Sequence, residues 1–326
     1  MLMAFACDGD RLRRLDDPSP EALRGAAWID LISPSVEESS HVQAATGLRI
    51  PTQANLSEIE SSSRLAAADG VLTLSMPLVS HLDAEPRPLP GGFVLARDRL
   101  ITIRFAPSRL FDAFVERETA STTPHRTSAH LFVGLLEAIV DRHADALEEV
   151  RAELDAVSHT IFRAHPMRLG GSKHEDRTLR TTLGAIGRSG DLISFIRDSQ
   201  VSAGRIVPYV QTMAKDWLAA DLAPRFTALT QDIASLNDFE GHLNGKLQFL
   251  LDATLGFINV AQNNVMKVLT VASVVGIPPV LIAGIYGMNF KSMPEYDWPW
   301  GYAYGLTVIV VSALVPLAWF KLRDWI

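Results

Sequence analysis

The sequence predicts three parts: an α+β N-terminal lobe in the cytoplasm, a stalk of long helices that form a bundle or coiled coil, and a C-terminal hairpin of two transmembrane helices. Two uncharged runs, residues 268–286 and 300–320, predict the hairpin, because each has about the twenty residues that an α-helix needs to cross a bilayer. A heptad repeat of apolar residues predicts the stalk. Mixed strand and helix patterns before it predict the lobe.

Residues 1–125 form the predicted cytoplasmic α/β domain. Residues 26–32 are an apolar run that fits a strand, and the Ser-Pro-Ser tripeptide at 33–35 predicts the start of a helix. Two glutamates follow in its first turn, where the helix dipole favours negative charge. Gly47 is the expected end of this helix.

Two further strand patterns complete the prediction for this lobe. Residues 71–79 fit a strand that Pro77 interrupts near its end. Residues 85–92 are rich in Pro and Gly and predict a loop. Residues 93–96 and 100–105 then predict a hairpin.

Residues 126–267 form the predicted helical stalk. A long helix is expected over 126–165, where apolar residues recur at alternating steps of four and three, as in a coiled-coil seam. The seam consists of Leu136, Val140, His143, Leu147, Val150, Leu154, Val157 and Ile161. A second helix is expected over 175–202, with Pro208 in or beside the next connection.

The third helix of the stalk is expected to begin near Pro224 and to continue without a break into the first membrane span. Such a helix of about sixty residues would be roughly 90 Å long at 1.5 Å per residue. Helical stability in proteins comes mostly from packing of a helix face. A helix of this length must therefore pack on copies of itself or on the preceding helices.

The composition excludes several classes of protein. The net charge of −7 argues against nucleic-acid binding, which needs a basic face. Cys7 is the single cysteine, so neither an internal disulfide nor a CxxC metal site can form. The N-terminus lacks the basic region of a secretory signal. The nine histidines offer no ligand cluster, and no P-loop or catalytic triad is present, so we expect neither an enzyme nor a bound cofactor.

The C-terminal hairpin, residues 268–326, has a predicted orientation in the lipid bilayer. Lys267 precedes the first span, and Lys321 and Arg323 follow the second, whereas the connecting loop 287–299 carries one basic and two acidic residues. The positive-inside bias therefore places both termini in the cytoplasm and the loop outside the cell (inner) membrane. Aromatic residues mark the two interfaces: Trp298, Trp300, Tyr302 and Tyr304 outside, and Trp319 and Trp325 inside.

One stripe of the helix that enters the first span has a candidate role. Its members recur at steps of three, four and seven and therefore share one face of the helix: Asp252, Asn259, Asn263, Met266, Leu269 or Thr270, Ser273, Ile277, Val280 and Gly284. If several copies surround an axis, this stripe lines a pore, with Asp252 and Asn259 at its cytoplasmic mouth. The apolar members would form a dry constriction that gates by dewetting. The alternative is a helix–helix contact in a dimer.

The end of the first span carries a specific combination of residues. Tyr286, Gly287, Met288, Asn289 and Phe290 are followed by Met293, Pro294 and Glu295. This combination, between two C-terminal spans, resembles the CorA family of divalent-cation transporters. The resemblance implies a homo-oligomer, a pentamer with a cytoplasmic funnel, that passes divalent cations, with Mg²⁺ first and Co²⁺ and Ni²⁺ left open. An oligomer is also a physical need, because two spans per chain cannot enclose a pore.

Gly287, Met288 and Asn289 are then the candidate selectivity filter. Mg²⁺ holds its octahedral waters tightly, and a ring of Asn289 amide oxygens could bind the ion through those hydration waters. Gly287 allows a tight turn at the helix end, which Met288 would support by packing. Glu295 and Asp297 would concentrate cations at the outer mouth. The alternatives are a helix cap for Asn289 and solvated loop acids for the other two.

The resemblance is incomplete. The family often carries carboxylates in the stalk that bind Mg²⁺ between subunits and hold the channel shut, and here Phe226 or Ala228 stands at the first of these positions. Asp221 or Asp232 could partly substitute. One alternative is a zinc transporter of the ZntB branch, although Met288 and the Met-Pro-Glu sequence favour the Mg²⁺ branch. The other is a membrane-anchored sensor or scaffold.

Overall fold

The structure is a computed structural model that describes residues 1–8, 11–16, 19–58, 60, 64–80, 86–121, 127–163, 173–288, 293–323 and 325. The chain divides into two compact units. The first comprises Met1–Ser158 and Gly184–Leu250, and the second His159–Leu183 and Leu251–Ile326.

The N-terminal part of the first unit contains a seven-stranded sheet in the order β2-β1-β3-β7-β6-β5-β4. β3 and β7 pair in parallel, and the other neighbours in this order pair antiparallel. The strands are β1 (Leu2–Asp8), β2 (Arg11–Leu15), β3 (Trp28–Ile32), β4 (Leu65–Ala68), β5 (Val71–Ser80), β6 (Arg87–Leu95) and β7 (Leu100–Arg104).

The helices follow the predicted order of short helices in the lobe and long helices after it. In the lobe they are α1 (Pro20–Gly25), α2 (Val36–Thr46), α3 (Gln53–Leu56) and α4 (Arg109–Ala120). The long helices are α5 (Ser128–Arg163), α6 (Lys173–Met213), α7 (Leu222–Tyr286) and, after a 3-10 turn at Pro294–Asp297, α8 (Gly301–Leu322).

Helix α2 confirms the predicted start and end signals. The backbone N–H of Glu38 donates to Ser35 Oγ at 3.1 Å, and the Ser35 N–H donates to Glu38 Oε2 at 2.9 Å, which forms a capping box. Gly47 ends the helix with φ +74°, a left-handed conformation that costs glycine little.

Two predictions for the strands were wrong. β5 continues through Pro77 to Ser80, and β6 begins at Arg87, inside the region expected to be a loop. Within β6, only Gly91–Leu95 pair with β7. Residues 87–90 therefore need hydrogen bonds on the β5 side only. Prolines are tolerated at such edge positions, and Pro90 lies opposite Pro77 in the ladder.

Two hydrophobic clusters cover the two faces of this sheet. Trp28 belongs to the cluster that includes residues of α4, α5, α6 and α7, and it stacks on Phe5 with ring centroids 4.8 Å apart. Ile29, its neighbour in β3, belongs to the cluster on the other face with Leu23 of α1 and Val42 of α2. This alternation follows from the two-residue period of a strand. The lobe is therefore a sheet between two helical layers.

Helix α5 confirms the predicted seam. All eight seam residues, from Leu136 to Ile161, are buried, and His143 is 4% exposed. The long helices of the first unit are also joined by polar contacts. Arg225 Nε donates to Glu137 Oε1 at 2.9 Å, and Lys246 Nζ lies 2.5 Å from Asp155 Oδ1. The apolar seam and these pairs hold α5 against its neighbours.

The prediction for Pro208 was wrong, because α6 continues through it to Met213. A proline inside a helix removes one backbone hydrogen bond and costs about 3 kcal/mol. Ile206, Val207 and Val210 are each no more than 1% exposed. Burying such side chains contributes about 1.5–3 kcal/mol each, so packing offsets the local cost. Thr212 Oγ1 also donates to the Pro208 carbonyl oxygen at 2.8 Å.

Candidate ion pathway

Helix α7 runs as one element from Leu222 to Tyr286, as the sequence predicted. It and α8 are each long and apolar enough to cross a membrane. In the most apolar 18 residues of α7 no residue is buried by the rest of the chain, and in those of α8 only 6% are. Soluble monomers rarely expose continuous apolar surface of this extent. Lipid or other copies of the chain must therefore cover these helices.

The predicted pore stripe lies on the exposed surface of α7. Met266, Leu269, Ile277 and Val280 expose 56, 56, 62 and 72% of their surface. The remaining members are exposed as well: Asp252, Asn259, Asn263, Ser273 and Gly284. The single chain therefore leaves the whole stripe free to contact a partner, lipid or water.

A second stripe of α7 is partly covered within the chain. It consists of Ala261, Asn264, Val271, Val275, Ile282 and Tyr286. Each of these residues is two positions from a member of the pore stripe, which corresponds to a rotation of about 200° around the helix axis. The predicted pore stripe thus points away from the side that the chain itself covers. Most residues between the two stripes are also exposed, with Pro278 and Pro279 partly covered, as expected where lipid or a neighbouring copy contacts a helix.

The end of α7 forms a tight turn at the candidate filter. The Gly287 N–H donates to the Ala283 carbonyl oxygen at 3.0 Å, and the Met288 N–H donates to that of Ile285 at 3.2 Å. A Cβ on residue 287 would lie 3.3 Å from the Ala283 oxygen, closer than most such contacts, so glycine suits this position. Met288 is 45% exposed, so within one chain its side chain does not fill the turn. Asn289 lies outside the described residues.

The outer loop returns to α8 through a short 3-10 turn, Pro294–Asp297. Glu295 is half-buried and Asp297 is exposed. The Gly301 N–H donates to the Trp298 carbonyl oxygen at 3.0 Å. A Cβ on residue 301 would lie 2.1 Å from the Glu295 carbonyl oxygen, so only glycine permits this close return. The loop acids are therefore held next to the N-terminus of α8.

Aromatic residues occupy both ends of α8. At the N-terminal end, Trp298 and Tyr304 form an edge-to-face pair with centroids 5.8 Å apart. At the C-terminal end, Phe320 is 2% exposed and stacks on Trp325 at 5.5 Å, and Lys267 Nζ lies 6.0 Å from the Trp325 ring. Aromatic belts with basic side chains are typical of membrane interfaces. Lys267 thus lies at the same end of the hairpin as Trp325.

The two candidate positions for a regulatory carboxylate differ in environment. Phe226 is 1% exposed and belongs to the core cluster, whereas Ala228 is exposed. Asp232 is exposed one turn later. Burial raises the pKa of the Asp141 carboxyl, and the negative charges of Glu137 and Asp232 raise it further. In the part of the chain that the structure describes, no three His, Cys, Asp or Glu side chains could jointly hold a metal ion.

The comparison with known families decides the assignment. The model of the CorA-like Mg²⁺ transporter family matches residues 24–322. The chain belongs to this family. The magnesium transport protein CorA of Haemophilus ducreyi is 30% identical over the full length of both chains. Members of this CorA-like family are membrane-embedded transporters, and α7 and α8 fit two spans.

Solved structures share this fold. The complete structure of the CorA magnesium transporter from Methanocaldococcus jannaschii matches with a TM-score of 0.74 and 19% identity, over 100% of this chain and 99% of that chain. The ZntB cytoplasmic domain from Vibrio parahaemolyticus matches less well, with a TM-score of 0.56 and 11% identity, over 79% of this chain and 97% of that chain. The predicted combination of α+β lobe, long helices and C-terminal hairpin is confirmed for this CorA-like chain.

Proposed function

We propose that the protein carries Mg²⁺ passively across the cell (inner) membrane through the pore of a homo-oligomer, a pentamer, with Co²⁺ and Ni²⁺ as further ions. The observation that carries this proposal is the pore stripe of α7. It is exposed along its length and lies opposite the side that the chain covers. Copies arranged around an axis would place polar side chains at one end of a channel and apolar side chains in its middle.

Asn289 is the proposed filter residue. Mg²⁺ gives up its waters reluctantly, so a ring of neutral amides can accept hydrogen bonds from the hydrated ion without trapping it. The tight turn at Gly287 supports this role, because it ends the helix just before Asn289. Glu295 and Asp297 would raise the local cation concentration at the outer mouth.

The proposed orientation places both termini in the cytoplasm. It rests on Lys267, Lys321 and Arg323, which flank the two spans on the same side of the hairpin. A membrane potential that is negative inside would then drive uptake. It contributes about 2.3 kcal/mol per charge per 100 mV, and twice that for a divalent ion. No other energy source is needed for inward transport.

A flux assay on proteoliposomes tests this function. We expect uptake of Mg²⁺ when a negative-inside potential is applied, and its loss in Asn289→Ala. Asn264→Ala, which removes an amide from the partly covered stripe of α7, is the matched control and should keep most of the flux.

The same assay separates the alternatives. Zn²⁺ uptake that requires a proton gradient, without Mg²⁺ uptake, would instead support a ZntB-like transporter. If the intact oligomer carries none of Mg²⁺, Co²⁺, Ni²⁺ and Zn²⁺, the result would support a sensor or scaffold. Undiminished Mg²⁺ flux in Asn289→Ala would refute the filter assignment.

A further inference from the structure

A cavity of about 420 Å³ lies in the first unit, and its lining residues are distant in sequence from the candidate ion pathway. Its walls come from the ends of β5, β6 and β7, the loop that leads into α4, and one face of α5. Small-molecule sites typically occupy clefts of about 300–1,000 Å³. The cavity is therefore large enough for a ligand the size of a mononucleotide.

Four basic side chains line this cavity. They are Arg104 at the end of β7, Arg109 in the first turn of α4, and Arg142 and His143 on α5. Neither Asp nor Glu is among the described residues that line it. Arg104 is paired with Asp30, and Arg142 Nη1 lies 3.2 Å from Glu149 Oε1 and 3.9 Å from Asp145 Oδ2, whereas Arg109 has no such partner among the described residues. The group as a whole still favours an anionic ligand, because guanidinium groups match carboxylate and phosphate geometry.

Two of these arginines have contrasting environments. Arg104 is 2% exposed and is held by Asp30, with its Nη2 2.9 Å from Asp30 Oδ2 and its Nε 3.1 Å from the same atom. Its position is therefore fixed by a buried ion pair. Arg109 is exposed and makes no hydrogen bond or ion pair with another described residue. Its charge is available to a ligand.

The start of α4 adds further donors to the basic side chains. Ser108 is the N-cap residue, and its side chain accepts no hydrogen bond from the described first turn. Residues 105–111, which include this helix start, line the cavity. The first N–H groups of a helix lack partners within the helix and carry partial positive charge. An anion at this end of the cavity would meet these donors together with Arg109.

Apart from Ser80 and Ser108, the rest of the described cavity wall is apolar. Leu78, Leu89, Phe105 and Ile139 face it from the sheet, the loop and α5. A bare inorganic anion would leave this surface without a partner, whereas a ligand with an apolar or aromatic body would cover it.

We propose that this cavity binds a soluble phosphate ester with an aromatic body, of the size of a mononucleotide. The phosphate would lie among Arg104, Arg109 and Arg142 at the start of α4, and the aromatic body would lie against the apolar wall. This proposal does not depend on the ion pathway. It adds a ligand site in the lobe to the proposed transport function.

Binding of AMP and of inorganic phosphate to the full-length protein in detergent tests this inference. Titrations by calorimetry in EDTA exclude effects of divalent ions. We expect saturable AMP binding at submillimolar concentration, and binding of inorganic phosphate at least tenfold weaker, because it lacks the aromatic body. No saturable AMP binding would overturn the proposal, and equal binding of both ligands would overturn the role of the apolar wall.

Variants locate the site. Arg109→Gln combined with Arg142→Gln should weaken AMP binding at least tenfold, because two of the basic groups are removed. Arg97→Gln, an exposed change outside the cavity lining, is the matched control and should leave binding unchanged. Ala106→Trp, which adds bulk to the wall without changing charge, should also weaken it. Unchanged AMP affinity in both cavity variants, with oligomer elution preserved, would place the ligand elsewhere.

Discussion

Phe226 and Ala228 differ by two residues and have opposite environments. The Phe226 ring packs in the core cluster of the lobe and stalk, and Ala228 faces outward on α7. A carboxylate that binds Mg²⁺ between subunits needs an exposed position. Of the two candidate positions, only Ala228 offers one without loss of core packing.

Ala228→Asp therefore tests regulation by cytosolic Mg²⁺. The variant adds a carboxylate one turn before Asp232 on the exposed side of α7, and a Mg²⁺ ion bound there would favour the closed state through its differential affinity. We expect half-closure at a several-fold lower internal Mg²⁺ concentration than in the parent, measured as flux against internal Mg²⁺. Ala228→Asn is the uncharged control.

Two outcomes would contradict this prediction. An unchanged closure curve in Ala228→Asp would show that the position is wrong, and steep closure of the parent at low internal Mg²⁺ would show that another site senses the ion. Phe226→Asp is not a substitute, because removing a buried aromatic ring costs about 3–5 kcal/mol. We expect it to reduce the yield of assembled protein.

Glu240 is a buried carboxyl group in the N-terminal third of α7. It is 2% exposed, and its Oε1 has no hydrogen-bond partner among the described residues. Burial raises the pKa of Glu240 from 4.5 to about 7, although the positive charge of Arg197 acts in the opposite direction. The folded protein therefore holds this proton more tightly than the unfolded chain does. Stability is lost as pH rises from the unfolded pKa through the folded one.

Glu240→Gln should remove this pH dependence. At pH 8 the parent contains a buried charge that costs roughly 3 kcal/mol, from about 1.4 kcal/mol per pKa unit, so the variant should have a Tm higher by several degrees. At pH 5 the two proteins should differ little, because Glu240 is protonated in the folded state. Asp238→Asn, an exposed change two residues earlier, is the control. The same Tm difference at both pH values would contradict the prediction.

At the scale of an element, α7 has two sides with different roles. One stripe is partly covered within the chain, and the pore stripe lies about 200° away and is exposed. A charged reagent can reach exposed residues that line a water-filled pore, but it cannot reach residues that face lipid. Chemical labelling therefore distinguishes the two.

Single cysteines in a Cys7→Ser background provide this test, since Cys7 is the only natural cysteine. A charged methanethiosulfonate reagent should block most Mg²⁺ flux through Ser273→Cys and Val280→Cys, because the label would occupy the pore. Val275→Cys, on the partly covered stripe, should retain its flux after the same treatment. If Mg²⁺ flux through all three cysteine variants survives the reagent equally well, the result would contradict a pore along this stripe.

At the scale of the whole molecule, one chain is incomplete. It supplies two candidate spans whose most apolar stretches are almost fully exposed. Two helices leave no enclosed path for an ion, and the long α7 leaves its whole pore stripe exposed. Assembly of several copies supplies both the missing pore walls and the missing contacts.

The assembled protein should therefore have a mass in detergent of about five times the 35.7 kDa of the chain, after correction for bound detergent. Light scattering coupled to size exclusion measures this mass directly. The same mass is expected with Mg²⁺ and with EDTA, because the apolar contacts do not require the ion. A homogeneous monomer or dimer would contradict the pore model.

Local patterns in the sequence were sufficient for much of the fold. The buried seam of α5, the capping box of α2, the αL cap at Gly47 and the continuous helix α7 follow from periodicity and capping, which depend on neighbours within a few residues. The residues from Tyr286 to Glu295 likewise pointed to the family that the comparison established. The roles of Asn289 and the pore stripe remain predictions.

Other features depend on residues that are distant in sequence. Pro208 lies inside α6 because buried neighbours offset its local cost, and Pro90 lies in β6 because β7 ends beside it. The burial of Phe226 and Glu240, and the basic cavity beside Arg104, require that the sheet and the long helices pack together. The sequence by itself determined the long helices α5 and α7, the capped helix α2 and the membrane hairpin, because these follow from short-range pattern. Only the tertiary structure decided which side chains are buried, because burial depends on long-range partners.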